Sequence, residues 1–313
     1  MARVLVTGAA GFIGAAVAEH LCARGDEVLG IDSLNDYYQV SLKRDRVARV
    51  ATATGRRFAF RQLDFADWDA LAAGLAGEDF DRIVHLGAQA GVRYSLENPR
   101  AYVSANLMGH LNLLELARAR QSSHLVYASS SSVYGGNDRL PFAVEDRVDH
   151  PVSLYAATKR ADELMSETYA HLYRLPQTGL RFFTVYGPWG RPDMAPWLFT
   201  SAILEDRPIK VFNQGEMWRD FTYIDDIVSG VVACLDAPPA DDGAVKAGGS
   251  VKPHALYCGR KAKIEYLPMQ PGDVTATYAD IDAIQQAIGY QPTTGIEQGI
   301  PRFVAWYRDY HGV

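Results

Sequence analysis

A short apolar run that ends in a glycine-rich turn is the feature that most constrains the fold of this chain. Residues 3–7 read Arg-Val-Leu-Val-Thr, which is typical of a buried parallel strand. Three glycines follow it: Gly8, Gly11 and Gly14. A helical pattern then continues to Gly25, and a second apolar run, residues 27–32, ends at Asp32. The order strand, glycine turn, helix, strand and acid predicts a dinucleotide-binding unit with respaced glycines.

The chemistry of this unit favours one dinucleotide over its phosphorylated form. Glycines let the backbone approach a pyrophosphate, and the N-terminus of the following helix faces the negative charge. Asp32 can accept hydrogen bonds from an adenosine ribose but repels a 2′-phosphate, so we expect NAD rather than NADP. Glycines also end strands for steric reasons, and only the full order of elements makes the motif specific.

Strand and helix patterns continue to alternate through the first part of the chain. Apolar runs predict strands at 58–63, 81–88, 124–128 and 180–185, with a helix over 101–119. The expected fold class is therefore α/β, a doubly wound (Rossmann) parallel sheet with a smaller α/β substrate-binding domain.

The alternation fades near residue 185, which predicts a domain boundary. We expect an NAD-binding domain over 1–184 and a substrate-binding region over 185–313, with part of 222–236 returning to the first domain. Residues 237–249 are rich in Ala, Pro, Gly and Asp and are predicted to form a surface loop.

Composition excludes several classes of partner. The 313 residues carry a net charge of −6 without a long basic run, so nucleic acid and acidic membranes are not expected partners. No apolar run is long enough to cross a bilayer, and we expect no signal peptide because the strand at residues 3–7 follows the first residues directly. Three cysteines without metal-like spacing predict reduced thiols and no metal site. We therefore expect a cytoplasmic protein.

A tyrosine and a lysine four positions apart supply the candidate chemistry. Tyr155 and Lys159 would share one face of a helix capped by Ser153, so the ammonium should lower the tyrosine pKa from about 10. Such a tyrosine can take a proton from a hydroxyl and later return it. The serine cluster 129–132 ends the preceding strand and would hold that hydroxyl in place. Serines at a strand end are often only turn formers, but the tyrosine and lysine make the catalytic interpretation stronger.

Other polar residues have two interpretations. The segment 35–38 and Lys43 either cover the adenosine half of the dinucleotide or form a solvated loop. His85, inside an apolar strand, is interpreted as a core residue. Arg93 is a candidate anion contact or an ordinary salt-bridge residue, and Asn106 is a candidate brace for the strand that carries the serines.

These motifs resemble the extended short-chain dehydrogenase/reductase family, the NAD-dependent epimerases and dehydratases, which act on nucleotide sugars. The resemblance covers almost the whole chain, and the UDP-glucuronate 4-epimerases are the most similar group. The segments that carry it are Gly8 to Gly14, Asp32, Asp64, 90–95, 129–135, Tyr155 with Lys159, 182–193, Arg219-Asp220-Phe221 and 269–273.

The resemblance implies an isomerase that interconverts UDP-glucuronate and UDP-galacturonate through a 4-keto intermediate. Ser130 and Tyr155 would hold the sugar 4-hydroxyl, and Lys159 would hold the nicotinamide ribose and tune Tyr155. Tyr155 would remove the proton while C4 gives its hydride to tightly held NAD, and the hydride would return to the other face. A homodimer through helices near 107–116 and 155–169 is also implied.

The resemblance further implies two sets of binding residues. The cofactor set, in addition to Tyr155 and Lys159, is Gly8, Gly11, Phe12, Ile13, Gly14, Asp32, Asn35, Lys43, Asp64, Phe65, Leu86, Ala88 and Gln89. The substrate set is Arg93, Ser131, Ser132, Thr184, Arg191, Phe199, Arg219 and Asp273. Within it, Arg191 and Thr184 are expected at the sugar carboxylate, and Arg219 at the diphosphate. Phe199 and Asp273 are expected on the uridine side.

Two serines distinguish this chain from relatives with further chemistry. Relatives that dehydrate the sugar carry an Asp-Glu pair after the catalytic hydroxyl residue, and those that decarboxylate it carry a glutamate before Val-Tyr-Gly. Here those positions are Ser131 and Ser132, which cannot act as acid or base near neutral pH, so simple epimerisation is expected. A 4-ketone beside a C5 carboxylate is prone to lose CO2. We hypothesise that the serine cluster and Arg191 hold the carboxylate where its breaking bond cannot overlap the ketone.

Two alternative functions remain open on the sequence. One is a 4-epimerase of a neutral UDP-hexose, and the other is a non-catalytic NAD-binding regulator, since a fold does not settle a function. One departure from the family lies at Tyr257-Cys258, where a helix expected before Gly259-Arg260-Lys261 is missing. We expect an omitted segment there rather than a true deletion.

Overall fold

The computed structural model describes residues 1–239, 246–248 and 262–313, and a parallel β-sheet forms its centre. Numbered in chain order, the strands of this sheet are β1 (Arg3–Thr7), β2 (Glu27–Asp32), β3 (Phe58–Gln62), β4 (Arg82–His85), β5 (His124–Ser130), β6 (Gln177–Phe182) and β10 (Lys246–Gly248). Their spatial order is β10-β6-β5-β4-β1-β2-β3, and all pairs are parallel. The strand order reverses between β1 and β4, which is where such sheets bind ligands. The expected α/β, doubly wound class is confirmed.

Helices connect the strands and cover both faces of the sheet. They are α1 (Phe12–Ala23), α2 (Val40–Thr54), α3 (Trp68–Gly74), α4 (Tyr94–Glu97), α5 (Pro99–Tyr102), α6 (Gly109–Ala119), α7 (Leu154–Tyr173), α8 (Ala195–Leu204), α9 (Ile224–Asp236), α10 (Asp282–Ile288) and α11 (Ile296–His311). Among the described residues, no helix combines the length and the apolar character that a membrane span needs.

The two sides of β1 explain why the sheet is covered on both faces. Val4 and Val6 are fully buried in a core shared with α1 and α9, whereas Leu5 is fully buried in a second core with Leu113 and Leu114 of α6. Successive side chains of a strand point to opposite faces. A continuous apolar run therefore needs a helical layer on each side, as the sequence predicts.

The second region is held together by two small parallel sheets and an aromatic cluster. The strands β7 (Thr184–Tyr186) and β9 (Phe221–Tyr223) form one sheet, and β8 (Ile209–Phe212) and β11 (Ile264–Leu267) form the other. Trp197 of α8 packs against the rings of Phe303, Trp306 and Tyr307 of α11, with centroid separations of 5.2–6.4 Å. These contacts fix α8 beside the chain that leads to Arg191.

Helix α9 packs against the main sheet although it follows the second region in sequence. His124 Nδ1 of β5 lies 3.1 Å from the carbonyl oxygen of Leu235, and Arg24 beyond α1 forms an ion pair with Asp236. The division of the chain at residue 184 remains a prediction, with α9 as the part of 222–236 that lies on the first sheet.

Several boundaries differ from the expectations: the strand expected over 81–88 spans only Arg82–His85, and the strand expected over 124–128 continues to Ser130. The strand expected over 180–185 ends at Phe182, because Thr184–Tyr186 pairs with β9 instead. The loop expected over 237–249 contains β10, which pairs with β6 through backbone bonds that its sequence pattern does not reveal. The helix expected over 101–119 is interrupted by a π-helical stretch, Val103–Met108. The junction of Tyr257 with Cys258 lies outside the described residues.

Gly14→Ala should destabilise the fold because a Cβ there would lie 2.0 Å from the carbonyl oxygen of Gly8, a backbone atom that cannot swing away. We expect a loss of about 1–3 kcal/mol in the free energy of unfolding, measured by urea denaturation. Gly136→Ala is the matched control, since its Cβ would meet Val152 Cγ1 at an ordinary 3.8 Å. Its expected change is within about 0.5 kcal/mol, and equal losses in the two variants would contradict the prediction.

Candidate active site

The glycine turn brings the backbone of β1 and the N-terminus of α1 to the edge of a cleft. Gly8 has a φ of +68°, and a Cβ there would lie 2.7 Å from the backbone nitrogen of Gly87. The helix α1 begins at Phe12, directly after Gly11, so its first amide groups face the same space. Because side chains in this turn would collide with backbone, the turn presents bare backbone to the cleft. A pyrophosphate can approach such a surface closely, so these residues fit NAD.

The cleft has a volume of about 380 Å³ and lies beside the switch point of the sheet. It brings together all the expected catalytic and cofactor residues: Gly8, Gly11, Phe12, Ile13, Gly14, Asp32, Asn35, Lys43, Asp64, Phe65, Leu86, Ala88, Gln89, Ser130, Tyr155 and Lys159. Arg191 is the one member of the expected substrate set among its lining residues. A larger cavity of about 670 Å³ lies elsewhere and contains none of the expected residues.

Asp32 and Lys43, the residues expected at the adenosine, both line the cleft. The Asp32 carboxylate accepts hydrogen bonds from the backbone nitrogens of Leu34 and Ala10, at 2.8 and 3.3 Å. Burial raises the pKa of Asp32 from its usual value, and the nearby Lys43 ammonium opposes the rise. Lys43 Nζ donates to the carbonyl oxygen and to Oδ1 of Asn35, both at 2.6 Å, so this segment is folded against the cleft. The alternative of a solvated loop does not hold for Lys43, which is 5% exposed.

Tyr155, Lys159 and Ser130 meet at the other end of the cleft. Ser153 caps α7 by accepting a hydrogen bond from the Ala156 backbone nitrogen at 3.1 Å, as expected. Lys159 Nζ donates to the carbonyl oxygen of Ala128 at 2.9 Å and to Oδ2 of Asp162 at 3.0 Å. An ammonium has three N–H donors, so one of them is left for the cleft that Lys159 lines.

Adjacent serines of β5 have different partners. Ser130 Oγ accepts a hydrogen bond from the Ser132 backbone nitrogen at 3.2 Å and lies at the cleft. Ser129 Oγ donates to Glu163 at 2.6 Å, and the same carboxylate pairs with Arg181. The hydroxyl hydrogen of Ser129 is therefore engaged within the protein, which leaves Ser130 as the serine available to a ligand.

Asn106 braces different elements from those expected. Its Nδ2 donates to the carbonyl oxygen of Gln89 at 3.1 Å and to Oγ1 of Thr158 at 3.0 Å. Its Oδ1 accepts from the Gln89 backbone nitrogen at 2.8 Å. It therefore joins the segment after β4 to α7, and not to β5. Asn106 lies in the π-helical stretch, where the wider turn changes the rotation of the helix.

Arg191 lies in the cleft beside a carboxylate of its own chain. Its Nε donates to Asp193 Oδ1 at 3.0 Å, and its Nη2 donates to Oδ2 of the same residue. Tyr37 donates its hydroxyl hydrogen to Asp193 Oδ2 at 3.0 Å, which connects the loop after β2 to this pair. Asp193 thus fixes two sides of the guanidinium, and the Tyr37 hydroxyl lies beside it.

Arg46 lies outside the lining of the cleft but joins segments that form it, and the sequence analysis missed it. Its guanidinium is fully buried and donates five hydrogen bonds of 2.7–3.2 Å. Two of them, from Nε and Nη2, go to the carbonyl oxygen of Trp189. The other three go to the carbonyl oxygens of Gly190 and Ala10 and to the hydroxyl of Tyr38. It ties the glycine turn to the residues just before Arg191. Its position in a polar stretch of α2 gave no signal of burial. Met194 lines the cleft and was not among the expected contacts, whereas Tyr37 and Tyr38, which line it too, belong to the segment 35–38 that was a candidate cover for the adenosine half.

Three members of the expected substrate set form a separate group. Arg93 forms an ion pair with Asp273 at 2.8 Å, and its guanidinium lies 4.4 Å from the centre of the Phe212 ring. Arg219 donates to the carbonyl oxygen of Thr275 at 3.3 Å; burial lowers its pKa, and nearby Asp273 opposes this effect. The ion pair with Asp273 fits an ordinary salt-bridge residue, and the nearby Arg219 guanidinium fits an anion contact. Both interpretations of Arg93 therefore remain.

The other four substrate candidates do not line the described cleft. Ser131 and Ser132 lie half-buried in the turn after β5, and Thr184 begins β7 beside Asp220. Phe199 packs from α8 against the main core. Their assignment to the substrate stays a prediction.

Two buried histidines lie behind Lys159. His85 Nδ1 is 2.7 Å from Thr7 Oγ1, and His110 Nε2 is 2.8 Å from Ser166 Oγ, with the two rings stacked at 5.4 Å. Burial, followed by the charge of Lys159, lowers the pKa of His85 to about 3. Burial also lowers the pKa of His110 well below its usual value. The interpretation of His85 as a core residue is confirmed.

His85→Asn should reveal this histidine in the pH dependence of stability. Because its pKa is lower in the folded state than in the unfolded state, its contribution falls as pH decreases from about 6.5 towards 3. We expect the penalty of His85→Asn, measured by urea unfolding, to be about 2 kcal/mol smaller at pH 5 than at pH 7. The same substitution at exposed His20 is the matched control for replacing a histidine by asparagine. A pH-independent penalty at His85 would contradict the prediction.

Comparisons with known proteins agree with this arrangement over nearly the whole chain. Residues 4–248 match the model of the NAD dependent epimerase/dehydratase family. A probable UDP-glucuronate 4-epimerase of Rhizobium meliloti is 45% identical, over 97% of this chain and 96% of its own. UDP-glucuronate 4-epimerase 1 of Arabidopsis thaliana is 44% identical, over 99% of this chain and 77% of its own. The crystal structure of UDP-glucuronic acid 4-epimerase from Bacillus cereus, in complex with UDP-glucuronic acid and NAD, is 31% identical with a TM-score of 0.87, covering 98% of this chain and 99% of that chain.

Proposed function

This chain belongs to the NAD-dependent epimerase/dehydratase family, and from that premise we propose that it interconverts UDP-glucuronate and UDP-galacturonate through a 4-keto intermediate. The observation that carries the proposal is that Ser130, Tyr155, Lys159 and Arg191 line one cleft together with the glycine turn. A hydroxyl, a phenol and an ammonium suit proton transfer at a carbinol, and a guanidinium suits a uronate carboxylate beside it.

Each of the three residues in the centre has a separate task. Ser130 and Tyr155 hold the sugar 4-hydroxyl, and Tyr155 takes its proton and returns it after the ketone has turned. Lys159 is held by Ala128 and Asp162, so its remaining donor can bind the nicotinamide ribose and stabilise the phenolate. NAD, when bound, supplies the acceptance and return of hydride at C4.

The residues around Ser130 support epimerisation without a further step. Dehydration or decarboxylation needs another acid or base, and the two positions where relatives carry one are Ser131 and Ser132. The carboxylate bonded to the neighbouring Ser129 is Glu163, which Arg181 also engages. Glu163 therefore serves the packing behind the strand and is not a free base in the cleft.

The reaction is tested by NMR of the product mixture from UDP-glucuronate with purified protein and no added cofactor. We expect a mixture of UDP-glucuronate and UDP-galacturonate, with Tyr155→Phe as the inactive control. UDP-glucose offered in parallel should turn over more slowly, because it lacks the carboxylate that Arg191 binds. Faster turnover of UDP-glucose would favour the neutral-hexose alternative, and no turnover of either sugar would favour the regulator.

Arg191→Ala should raise the share of CO2 and UDP-pentose among the products, because the carboxylate loses the guanidinium that orients it away from the ketone. We expect the ratio of pentose to hexuronate, measured by NMR, to rise at least about tenfold, the effect of roughly 1.4 kcal/mol. Arg207→Ala, an exposed arginine paired with Glu205, is the matched control. An unchanged ratio in Arg191→Ala would show that the serine cluster or another group holds the carboxylate.

The same proposal assigns residues 1–184 to NAD and 185–313 to the UDP-sugar, in a cytoplasmic homodimer. Exposed apolar side chains on α7 support the dimer: Leu164, Leu172 and Tyr173 are 47–60% exposed. The buried free thiols of Cys22 and Cys234 suit a reducing compartment, while Cys258 lies outside the described residues. Sedimentation of Leu164→Glu beside the wild type tests the dimer.

A further inference from the structure

Asp162 is a buried carboxylate with one charged partner in the described part of the chain. Its Oδ2 accepts a hydrogen bond from Lys159 Nζ at 3.0 Å, and the two side chains are 1% and 4% exposed. Its Oδ1 is buried without a hydrogen-bond partner. Removing such a carboxylate from water is costly, and the Lys159 ammonium is the charge that compensates for it.

The groups that face Asp162 from neighbouring elements do not share its charge. On α6 and β4, burial holds His110 and His85 neutral by lowering each pKa. On β5, burial raises the pKa of Tyr127 above its usual value, so that phenol is neutral too. Glu163, the next residue of α7, pairs with Arg181 and Arg160, and its charge makes a smaller contribution to the pKa of Asp162 than burial and Lys159 do. The negative charge of Asp162 therefore acts mainly on Lys159.

The position of Asp162 also fixes the direction of the lysine. Asp162 and the Ala128 carbonyl take two of the three ammonium hydrogens on the protein side. The third is directed towards the cleft, where Lys159 and Tyr155 lie together. A negative charge 3.0 Å from the ammonium also offsets part of the positive potential at Tyr155.

We propose that Asp162 is a positioning residue that acts through Lys159 and sets the pH at which Tyr155 loses its proton. This inference rests on the proposed function only in giving Tyr155 the role of the base. With the carboxylate in place, the ammonium stays protonated and oriented, but its pull on the phenol is moderated. Without the negative charge, Tyr155 ionises at lower pH and Lys159 loses its proton at lower pH.

Asp162→Asn is the direct test, because an amide keeps the shape and an acceptor oxygen but removes the charge. We expect both limbs of the pH profile of kcat to move towards acid by on the order of one pH unit. Ser166→Ala is the matched control: Ser166 is buried on α7, contacts His110 and lies outside the catalytic set. It should lower stability and leave both limbs in place, as Asp162→Asn would if its role were only structural.

A second measurement does not require turnover. The holoenzyme is titrated at the phenolate absorbance band, and the curve of the matching Tyr155→Phe protein is subtracted, for both the wild type and Asp162→Asn. We expect the Tyr155 midpoint to fall by on the order of one pH unit in Asp162→Asn. If wild type turns over no UDP-sugar but the midpoint falls, the proposed function fails and this inference stands.

An unchanged or raised midpoint overturns the inference whether or not the enzyme turns over. Asp162→Ser serves as a second variant if the asparagine protein does not fold. Failure of both variants to fold would make the carboxylate a structural requirement, which also overturns the inference. An Asp162→Asn protein with a lowered melting temperature and an unchanged pH profile of kcat would also overturn the inference.

Discussion

The five hydrogen bonds of Arg46 join the two halves of the site, and the rest of the arrangement depends on them. Its guanidinium spends all five N–H groups on oxygen atoms of the glycine turn, Tyr38 and the Trp189-Gly190 backbone. A buried cation satisfied only by neutral oxygens keeps its full positive charge near the pyrophosphate site. Because Gly190 directly precedes Arg191, the same bonds also fix the backbone from which the Arg191 side chain extends. The position of the glycine turn and the position of Arg191 therefore depend on each other.

Buried ionisable groups around Lys159 divide into neutral and charged sets, and burial decides which is which. Burial lowers the pKa values of His85 and His110 and raises that of Tyr127, so these groups stay neutral and add no competing charge near Lys159. Burial raises the pKa of Asp162 to about 6, and Lys159 opposes the rise. The field of the Lys159 ammonium is therefore altered by the Asp162 carboxylate 3.0 Å away, and a single substitution there has an interpretable electrical effect.

The sequence predicts those parts of the fold and site that depend on local pattern. The glycine turn, the apolar strands and the helix with Tyr155 and Lys159 all lie within short segments whose spacing carries the information. Arg46 and Trp189 are 143 positions apart, so no local pattern reveals their contact. Asp162 was not singled out by the sequence analysis, and only the packing of α7 on the sheet shows its burial. For the same reason β10 escaped prediction, since its pairing with β6 is a backbone contact.

The register of β5 gives the final constraint on the chemistry. Ser129 and Ser130 pair with Arg181 and Phe182 of β6, and successive side chains point to opposite faces. The Ser129 hydroxyl therefore meets the Glu163 and Arg181 ion pair, although both serines contribute to the lining of the cleft. A slip of one residue would exchange the faces of the two serines and take the Ser129 hydroxyl away from the Glu163 carboxylate. Within the described residues, the register thus keeps the Ser129 hydroxyl engaged by the ion pair and the Ser130 hydroxyl apart from it.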